Sequence, residues 1–306
     1  MRLWSRNAGV VRSINEDRLN SRYLSSTSIP SNVIATGDLE TALRDASMVV
    51  FAAPSHAARE LLTAMSSLLD EAAIIVSVSK GIEIESGKRI SEIAREVLGS
   101  PYSFVCLSGP SFAKEVVAGH PTAIVAASKD VAAARTVQND FSFENLRIYT
   151  NTDVIGTEIG GSVKNVMAIA AGMTTGLGFG ANSVAALITR GLAEITRLAR
   201  REGAQVETLM GLAGLGDLVL TCTGNLSRNR FVGEELGKGK TLAEITAALN
   251  EVAEGINTAR AVKKLANRAG LEMPITNEVN AVLYDGKPAR DAVAELMSRP
   301  LREEIN

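Results

Sequence analysis

The stretch Ile74-Ile75-Val76-Ser77-Val78-Ser79-Lys80-Gly81-Ile82-Glu83 decides the fold. Its first half is an unbroken, β-branched apolar run, the pattern of a strand buried on both faces of a parallel sheet. Its second half turns at once to a lysine and a glycine. In open α/β sheets ligands bind just beyond the carboxyl ends of the strands, where Lys80 would stand. From spacing alone, a solvated surface lysine explains Lys80 equally well. Outward from this stretch the pattern repeats. Val33-Ile34-Ala35-Thr36, Met48-Val49-Val50-Phe51-Ala52-Ala53 (ended by Pro54), Phe104-Val105-Cys106-Leu107, Ala123-Ile124-Val125-Ala126 and Leu146-Arg147-Ile148-Tyr149 all read as strands. Helical periodicity lies between several of them, at 57–69 and 90–98. Arg2-Leu3-Trp4 already reads as a strand at the start of the chain. Such alternation predicts a doubly wound α/β domain over residues 1–150.

Beyond about residue 150 the period changes. Residues 154–173, 183–202, 242–250, 257–269 and 277–283 read as helices with no strand between them, so 151–306 is expected to form an all-helical domain. The junction carries no Pro/Ser-rich linker, and such compact hinges often hold ligands. A length of 306 residues suits two domains, and 46% hydrophobic residues exclude intrinsic disorder. A net charge of −2 argues against a dedicated nucleic-acid binder. Two histidines make a His-rich metal site unexpected, and no metal is expected. Cys106 and Cys222 lack C-x-x-C spacing, which fits a reducing cytosol. The apolar runs are too short to span a bilayer, and 1–11 has no apolar core of a secretory signal.

Several glycine-rich stretches compete for function. Gly176-x-Gly178-x-x-Ala181 matches a dinucleotide loop by letter but follows a helix, so it reads as a loop between helices. Gly239-Lys240-Thr241 resembles the end of a P-loop, yet Gly233 is out of register and no strand precedes it. Leu107-Ser108-Gly109-Pro110-Ser111-Phe112-Ala113-Lys114-Glu115 follows a strand. There Gly109 allows close backbone approach and Ser111 offers a hydroxyl, although a plain strand-to-helix turn explains it as well. Glu158-Ile159-Gly160-Gly161-Ser162-Val163-Lys164-Asn165 places two glycines one turn before Lys164. Each glycine costs a helix about 1 kcal/mol against alanine, which suggests close packing or ligand approach. Lys164 among small apolar residues is expected to be desolvated, to have a lowered pKa, and to serve as acid or base; a lysine snorkelling to water is the alternative. Gly214-Leu215-Gly216-Asp217-Leu218 sets a carboxylate in a glycine turn. Ser227-Arg228-Asn229-Arg230 carries donors suited to phosphate. Glu254-Gly255 reads equally well as a turn.

In order, Leu3-Trp4-Ser5-Arg6, Pro54-Ser55-His56, Ser79-Lys80-Gly81-Ile82-Glu83, Ser108-Gly109-Pro110-Ser111-Phe112-Ala113, Glu158 to Asn165, Gly214 to Leu218, Ser227-Arg228-Asn229 and Glu254-Gly255 resemble the bacterial NAD(P)-dependent glycerol-3-phosphate dehydrogenases over essentially the whole chain. The resemblance implies a Rossmann-like parallel-sheet domain followed by a helical one. It implies reversible reduction of dihydroxyacetone phosphate to sn-glycerol 3-phosphate by NADH or NADPH, for glycerophospholipid synthesis in the cytoplasm. It implies Lys164 as the proton donor and acceptor. Lys80, Gly109, Ser111, Lys164, Asp217, Ser227, Arg228 and Asn229 would line the substrate. Arg6, Lys80, Ala113, Arg228, Val252 and Glu254 would touch the cofactor. Arg6, a cation where an NAD-selective site has an acid, would meet an adenosine 2′-phosphate. No nucleic-acid partner or membrane insertion is implied, and a homodimer is compatible.

One departure stands out. The family opens with a strand, then G-x-G-x-x-G and a helix, whereas this sequence opens at what resembles the family's second strand. The absent strand is central in the order 3-2-1-4-5-6, so a gap in the sheet is expected. The sequence is expected to be an incomplete version of the working protein. Two other readings are a non-catalytic protein that binds phosphorylated metabolites and a related two-domain β-hydroxyacid-type dehydrogenase. Arg228-Asn229 favours a phosphorylated substrate over the latter.

Overall fold

A computed structural model describes residues 1–99, 102–248, 253–301 and 303–304. Every strand among them precedes residue 152: β1 (Arg2–Trp4), β2 (Leu19–Asn20), β3 (Leu24–Ser28), β4 (Ile34–Thr36), β5 (Met48–Phe51), β6 (Ile74–Ser77), β7 (Ser103–Ser108), β8 (Thr122–Ala127) and β9 (Leu146–Asn151). The helices between them are α1 (Ala8–Arg12), α2 (Leu39–Leu43), α3 (Ala58–Met65), α4 (Ile90–Leu98), α5 (Ala113–Val117) and α6 (Val131–Phe141). β5 to β9 form one sheet in sequential order. All its pairs are parallel except β7 with β8, where Leu107 lies opposite Ala126. A parallel crossover needs a dozen or more residues and usually a full helix. Residues 109–121 hold only the short α5, so the chain reverses and β8 returns antiparallel. The connection from β8 to β9 does carry a full helix. Asp130 caps α6 by accepting from the Ala132 and Ala133 amides, and β9 runs parallel to β8.

β1 pairs in parallel with β4, Leu3 opposite Ala35, in a separate two-stranded sheet. Among the described residues no ladder joins β1 to β5, so the expected gap in the sheet is present. β5 is consequently an edge strand, and Val50 on it is 45% exposed where the interior Val76 and Val105 are fully buried. β2 and β3 form a small antiparallel hairpin that the apolar pattern does not signal.

From Val154 onward only helices occur among the described residues: α7 (Val154–Gly176), α8 (Ala181–Arg201), α9 (Val206–Met210), α10 (Asp217–Thr223), α11 (Arg228–Gly237), α12 (Leu242–Ala248), α13 (Glu254–Ala269), α14 (Pro274–Tyr284) and α15 (Ala289–Met297). α7 is the axis. It is buried almost all round, as a helix apolar on every face must be, and α8, α10, α11, α13 and α14 pack about it. Asp153 fixes its start, accepting from the Gly156 amide at 2.9 Å. The main core consists of Val163, Val166, Met167 and Ile169 from α7 with Ile195, Leu198, Val232, Val262 and Val279 from its neighbours. Separate apolar clusters cover the two faces of the five-stranded sheet. Among the described residues no helix is long and apolar enough to cross a membrane.

Candidate active site

The carboxyl ends of β6 and β7 meet α7 and α10 around one carboxylate. Asp217, the first residue of α10, is 1% exposed. Its Oδ1 accepts from Lys164 Nζ at 2.6 Å and its Oδ2 accepts from Lys80 Nζ at 2.7 Å. Lys164 also donates to Thr221 Oγ1 at 2.6 Å, and Lys80 to the Gly109 carbonyl at 3.1 Å. Thr221 lies one turn after Asp217 on α10 and donates to its carbonyl, so its hydroxyl oxygen is turned toward Lys164. Thr221 lies beyond the Gly214–Leu218 motif, and its i, i+4 spacing from Asp217 is the sequence signal that places it beside Lys164.

Gly160 and Gly161 explain how these elements come so close. A Cβ at Gly160 would stand 2.6 Å from the Ala213 carbonyl oxygen, in the turn that leads into Asp217. A Cβ at Gly161 would stand 2.7 Å from Ser108 Oγ and 3.7 Å from Lys80 Cγ. The two glycines therefore admit the Asp217 loop and the end of β7 against α7, the close packing their helix cost suggested. Glu158 on the same helix ties down the surroundings. Glu158 accepts from Ser91 N at 2.8 Å and from Ser91 Oγ at 2.5 Å, joining α7 to the start of α4.

Lys164 is only 5% exposed. Burial, reinforced by the nearby Lys80 cation and opposed by Asp217, brings its pKa down to about 8. An amine at that value exchanges protons readily near neutrality. Beside it, burial pushes the Cys222 thiol up to about 12, so this cysteine is a protonated packing group.

The remaining expected residues fall into two groups. Ser111 donates to the Gly109 carbonyl at 3.0 Å, within the same loop that receives Lys80. Ser227 caps α11, accepting from the Arg230 amide, and Arg228 opens that helix on its exposed side. Asn229 is buried and accepts from the Gly255 amide at 2.9 Å, which places the starts of α11 and α13 together. Glu254, first residue of α13, accepts from Ser55 Oγ at 2.7 Å, and both abut Gly81. Ala113 opens α5, exposed. Val252 lies outside the described residues. Arg6 is not in this cluster: with Arg12, Asn15 and Gly37 it lines a cavity of about 380 Å³ beyond the carboxyl end of β1.

That cavity bears on the dinucleotide. Arg6 just beyond β1 and Arg12 at the end of α1 face one cavity, with Glu16 as the carboxylate in its lining, and this pair of guanidiniums suits an adenosine 2′-phosphate. Among the described residues no strand is followed by a pyrophosphate loop of the form G-x-G-x-x-G.

A split Rossmann-like sheet set on a helical domain, with a buried lysine of lowered pKa beside Asp217, has the architecture of a nicotinamide-dependent dehydrogenase of the two-domain class. The sequence profile of the NAD-dependent glycerol-3-phosphate dehydrogenase N-terminus matches residues 1–134, and that of the C-terminus matches 153–294. A glycerol-3-phosphate dehydrogenase [NAD(P)+] of Koribacter versatilis is 52% identical, spanning 100% of this chain and 91% of that protein. One from Citrifermentans bemidjiense is 48% identical, spanning 99% and 91%. The crystal structure of glycerol-3-phosphate dehydrogenase (gpsA) from Coxiella burnetii superposes with a TM-score of 0.95 at 39% identity, covering 97% of this chain and 91% of that one. The chain belongs to the NAD-dependent glycerol-3-phosphate dehydrogenase family.

Proposed function

We propose that the chain catalyses the reversible interconversion of dihydroxyacetone phosphate and sn-glycerol 3-phosphate, in the cytoplasm, with its domain boundary at residues 150/151. The observation that carries this reading is the Lys80–Asp217–Lys164–Thr221 cluster. Bound NAD(P)H supplies the hydride to the ketone carbon. As charge builds on the ketone oxygen, the Lys164 ammonium stabilises it and delivers the proton; in the reverse direction the neutral amine takes the hydroxyl proton. Asp217 holds Lys164 and Lys80 in register, and Thr221 fixes the direction of the Lys164 ammonium. Ser111 and the Gly109 backbone border the substrate. Arg228 and Asn229, at the positive end of the α11 dipole and behind the Ser227 cap, receive the phosphate and so orient the ketone. Arg6 and Glu254 hold the cofactor, with Ala113, Val252, Lys80 and Arg228 beside it. Two unpaired buried cysteines, Cys106 and Cys222, support the cytoplasmic location.

The test is an Arg228→Ala variant assayed by NAD(P)H oxidation. A charged hydrogen bond is worth about 1.5–3 kcal/mol, so KM for dihydroxyacetone phosphate rises roughly 10- to 100-fold. A KM equal to the parent's overturns the phosphate assignment. Asp217→Asn separates orientation from binding. Its carboxylate raises the Lys164 pKa, so its loss drives that pKa below about 8. The reduction rate falls on the order of 10², with its alkaline limb displaced to lower pH. A limb that stays in place argues that Asp217 does not act through Lys164.

A further inference from the structure

A second cluster of cations lies on α13, away from the residues assigned to the reaction. Arg260, Lys263, Lys264 and Asn267 follow the i, i+3, i+4, i+7 spacing of one helix face. They line a cavity of about 430 Å³ whose opposite wall is Asn280, Tyr284 and Asp285. That volume lies within the range of small-ligand sites. The Arg260 guanidinium carbon lies over the Tyr284 ring, 3.7 Å from its centroid, a cation–π contact that holds the side chain at the cavity wall. Asn280 is 2% exposed and is held by donating to the Ala259 and Thr276 carbonyls. Asp285 is the one carboxylate in the lining against three cations.

One of the lining cations, Lys264, is tied to the turn at 84–86 that follows Lys80 in the chain. Lys264 Nζ donates to the Ile84 carbonyl at 3.3 Å and the Glu85 carbonyl at 3.2 Å, and Arg268 to the Ser86 carbonyl at 3.0 Å. The turn they clamp is closed by the Glu83 amide on the Lys88 carbonyl and the Gly87 amide on the Glu83 carbonyl. It continues the loop that bears Lys80 and Gly81. Three cations facing one carboxylate leave a local positive excess, which concentrates negative ligands.

We propose that this cavity is an effector site for a small metabolite bearing a phosphate or pyrophosphate group, and that its occupation draws Lys264 from the 84–85 carbonyls and loosens the turn behind Lys80. A single short stripe of three cations in an open cavity of about 430 Å³, on a chain of net charge −2, suits a compact polyanion rather than a nucleic acid.

Inorganic pyrophosphate is the probe, titrated calorimetrically into the full chain at constant ionic strength. Lys263→Glu leaves the Arg260–Tyr284 stack intact and is expected to weaken binding at least tenfold. Arg228→Ala is expected to retain the saturable heat. Loss of binding in Arg228→Ala together with full binding in Lys263→Glu overturns the proposal, as does the absence of saturable heat above a sodium chloride control. An oligonucleotide that binds more tightly than pyrophosphate, and is released by Lys263→Glu, overturns the ligand class. Hydrogen exchange reads the coupling: the Gly87 amide is expected to exchange at least threefold faster with pyrophosphate bound. Unchanged exchange at full occupancy overturns the link to the Lys80 loop.

Discussion

A Lys164→Met variant is expected to lose between about 10² and 10⁴ in kcat for reduction of dihydroxyacetone phosphate, the range that a positioned general acid contributes. Methionine nearly preserves the volume of the lysine stem, and Asp217 keeps Lys80 as a partner at 2.7 Å, so the loss reports on the ammonium and not on a collapsed site. The parent enzyme supplies the complementary measurement. Its Lys164 pKa lies at about 8, depressed chiefly by burial. Reduction needs the protonated form, so the rate falls as pH rises through about 8. Oxidation of sn-glycerol 3-phosphate needs the neutral amine, so that rate rises over the same interval. The two profiles therefore cross in opposite senses around one value, which few other assignments would produce. Lys164→Arg keeps a cation whose pKa is far above this window, and its profile should be flat there. A Lys164→Met enzyme with more than about a tenth of the parent kcat, or a pair of profiles with the same slope, removes Lys164 from the proton-transfer role.

The parts of this site were unequally legible in the sequence. Apolar runs such as Ile74-Ile75-Val76 announce buried strands because both faces must be hydrophobic, and Lys80 and Lys164 stood out as cations in apolar or edge positions. The α4 boundaries, Ile90–Leu98, follow from periodicity alone. Three features were hidden for physical reasons. The antiparallel β7–β8 pairing depends on how short α5 is, and an apolar run looks the same in either direction. The β2–β3 hairpin uses Ser25, Ser26 and Thr27, which carry no hydrophobic alternation. The meeting of Lys164, Asp217 and Lys80 joins residues far apart in the chain, and no local pattern encodes it. Lys164 and Asp217 could each be singled out in the sequence, but the pairing had to come from the fold. Arg6 illustrates the converse. The sequence singles out Arg6 for the adenosine end of the cofactor, and the structure sets it in a cavity with Arg12, apart from the Lys80–Asp217–Lys164 cluster.

The residues proposed to receive the phosphate are positioned by a second contact, the packing of α11 on α7. α7 and α11 carry glycines at matching intervals, Gly172 with Gly176 and Gly233 with Gly237. A Cβ at Gly237 would stand 2.6 Å from the Met173 carbonyl oxygen. One at Gly233 would overlap the Ile169 carbonyl, and one at Gly172 the Arg230 carbonyl. In each case the obstacle is backbone, which cannot rotate aside as a side chain can. Gly233→Ala must therefore push the helices apart and open voids along the rest of their contact. Overpacking a core costs roughly 1–3 kcal/mol and more when backbones must move, so a loss of about 3 kcal/mol is expected. For a domain of this size that corresponds to a fall in Tm of roughly 6–12 °C. Gly180→Ala is the control: a Cβ there meets nothing within 4 Å, so the change should stay within about 1 kcal/mol. The kinetic consequence follows from position. Asn229 lies one turn before Gly233 on α11, and Lys164 lies two turns before Gly172 on α7, so separating the helices moves the proposed phosphate-binding residues away from Lys164. KM for dihydroxyacetone phosphate should rise in Gly233→Ala even at temperatures where the variant is fully folded. Because either alanine alone already forces the separation, the Gly172→Ala/Gly233→Ala double variant should lose clearly less stability than the sum of the single losses. Strict additivity, or a Gly233→Ala protein that melts with the parent, would show that α7 and α11 are not in backbone contact.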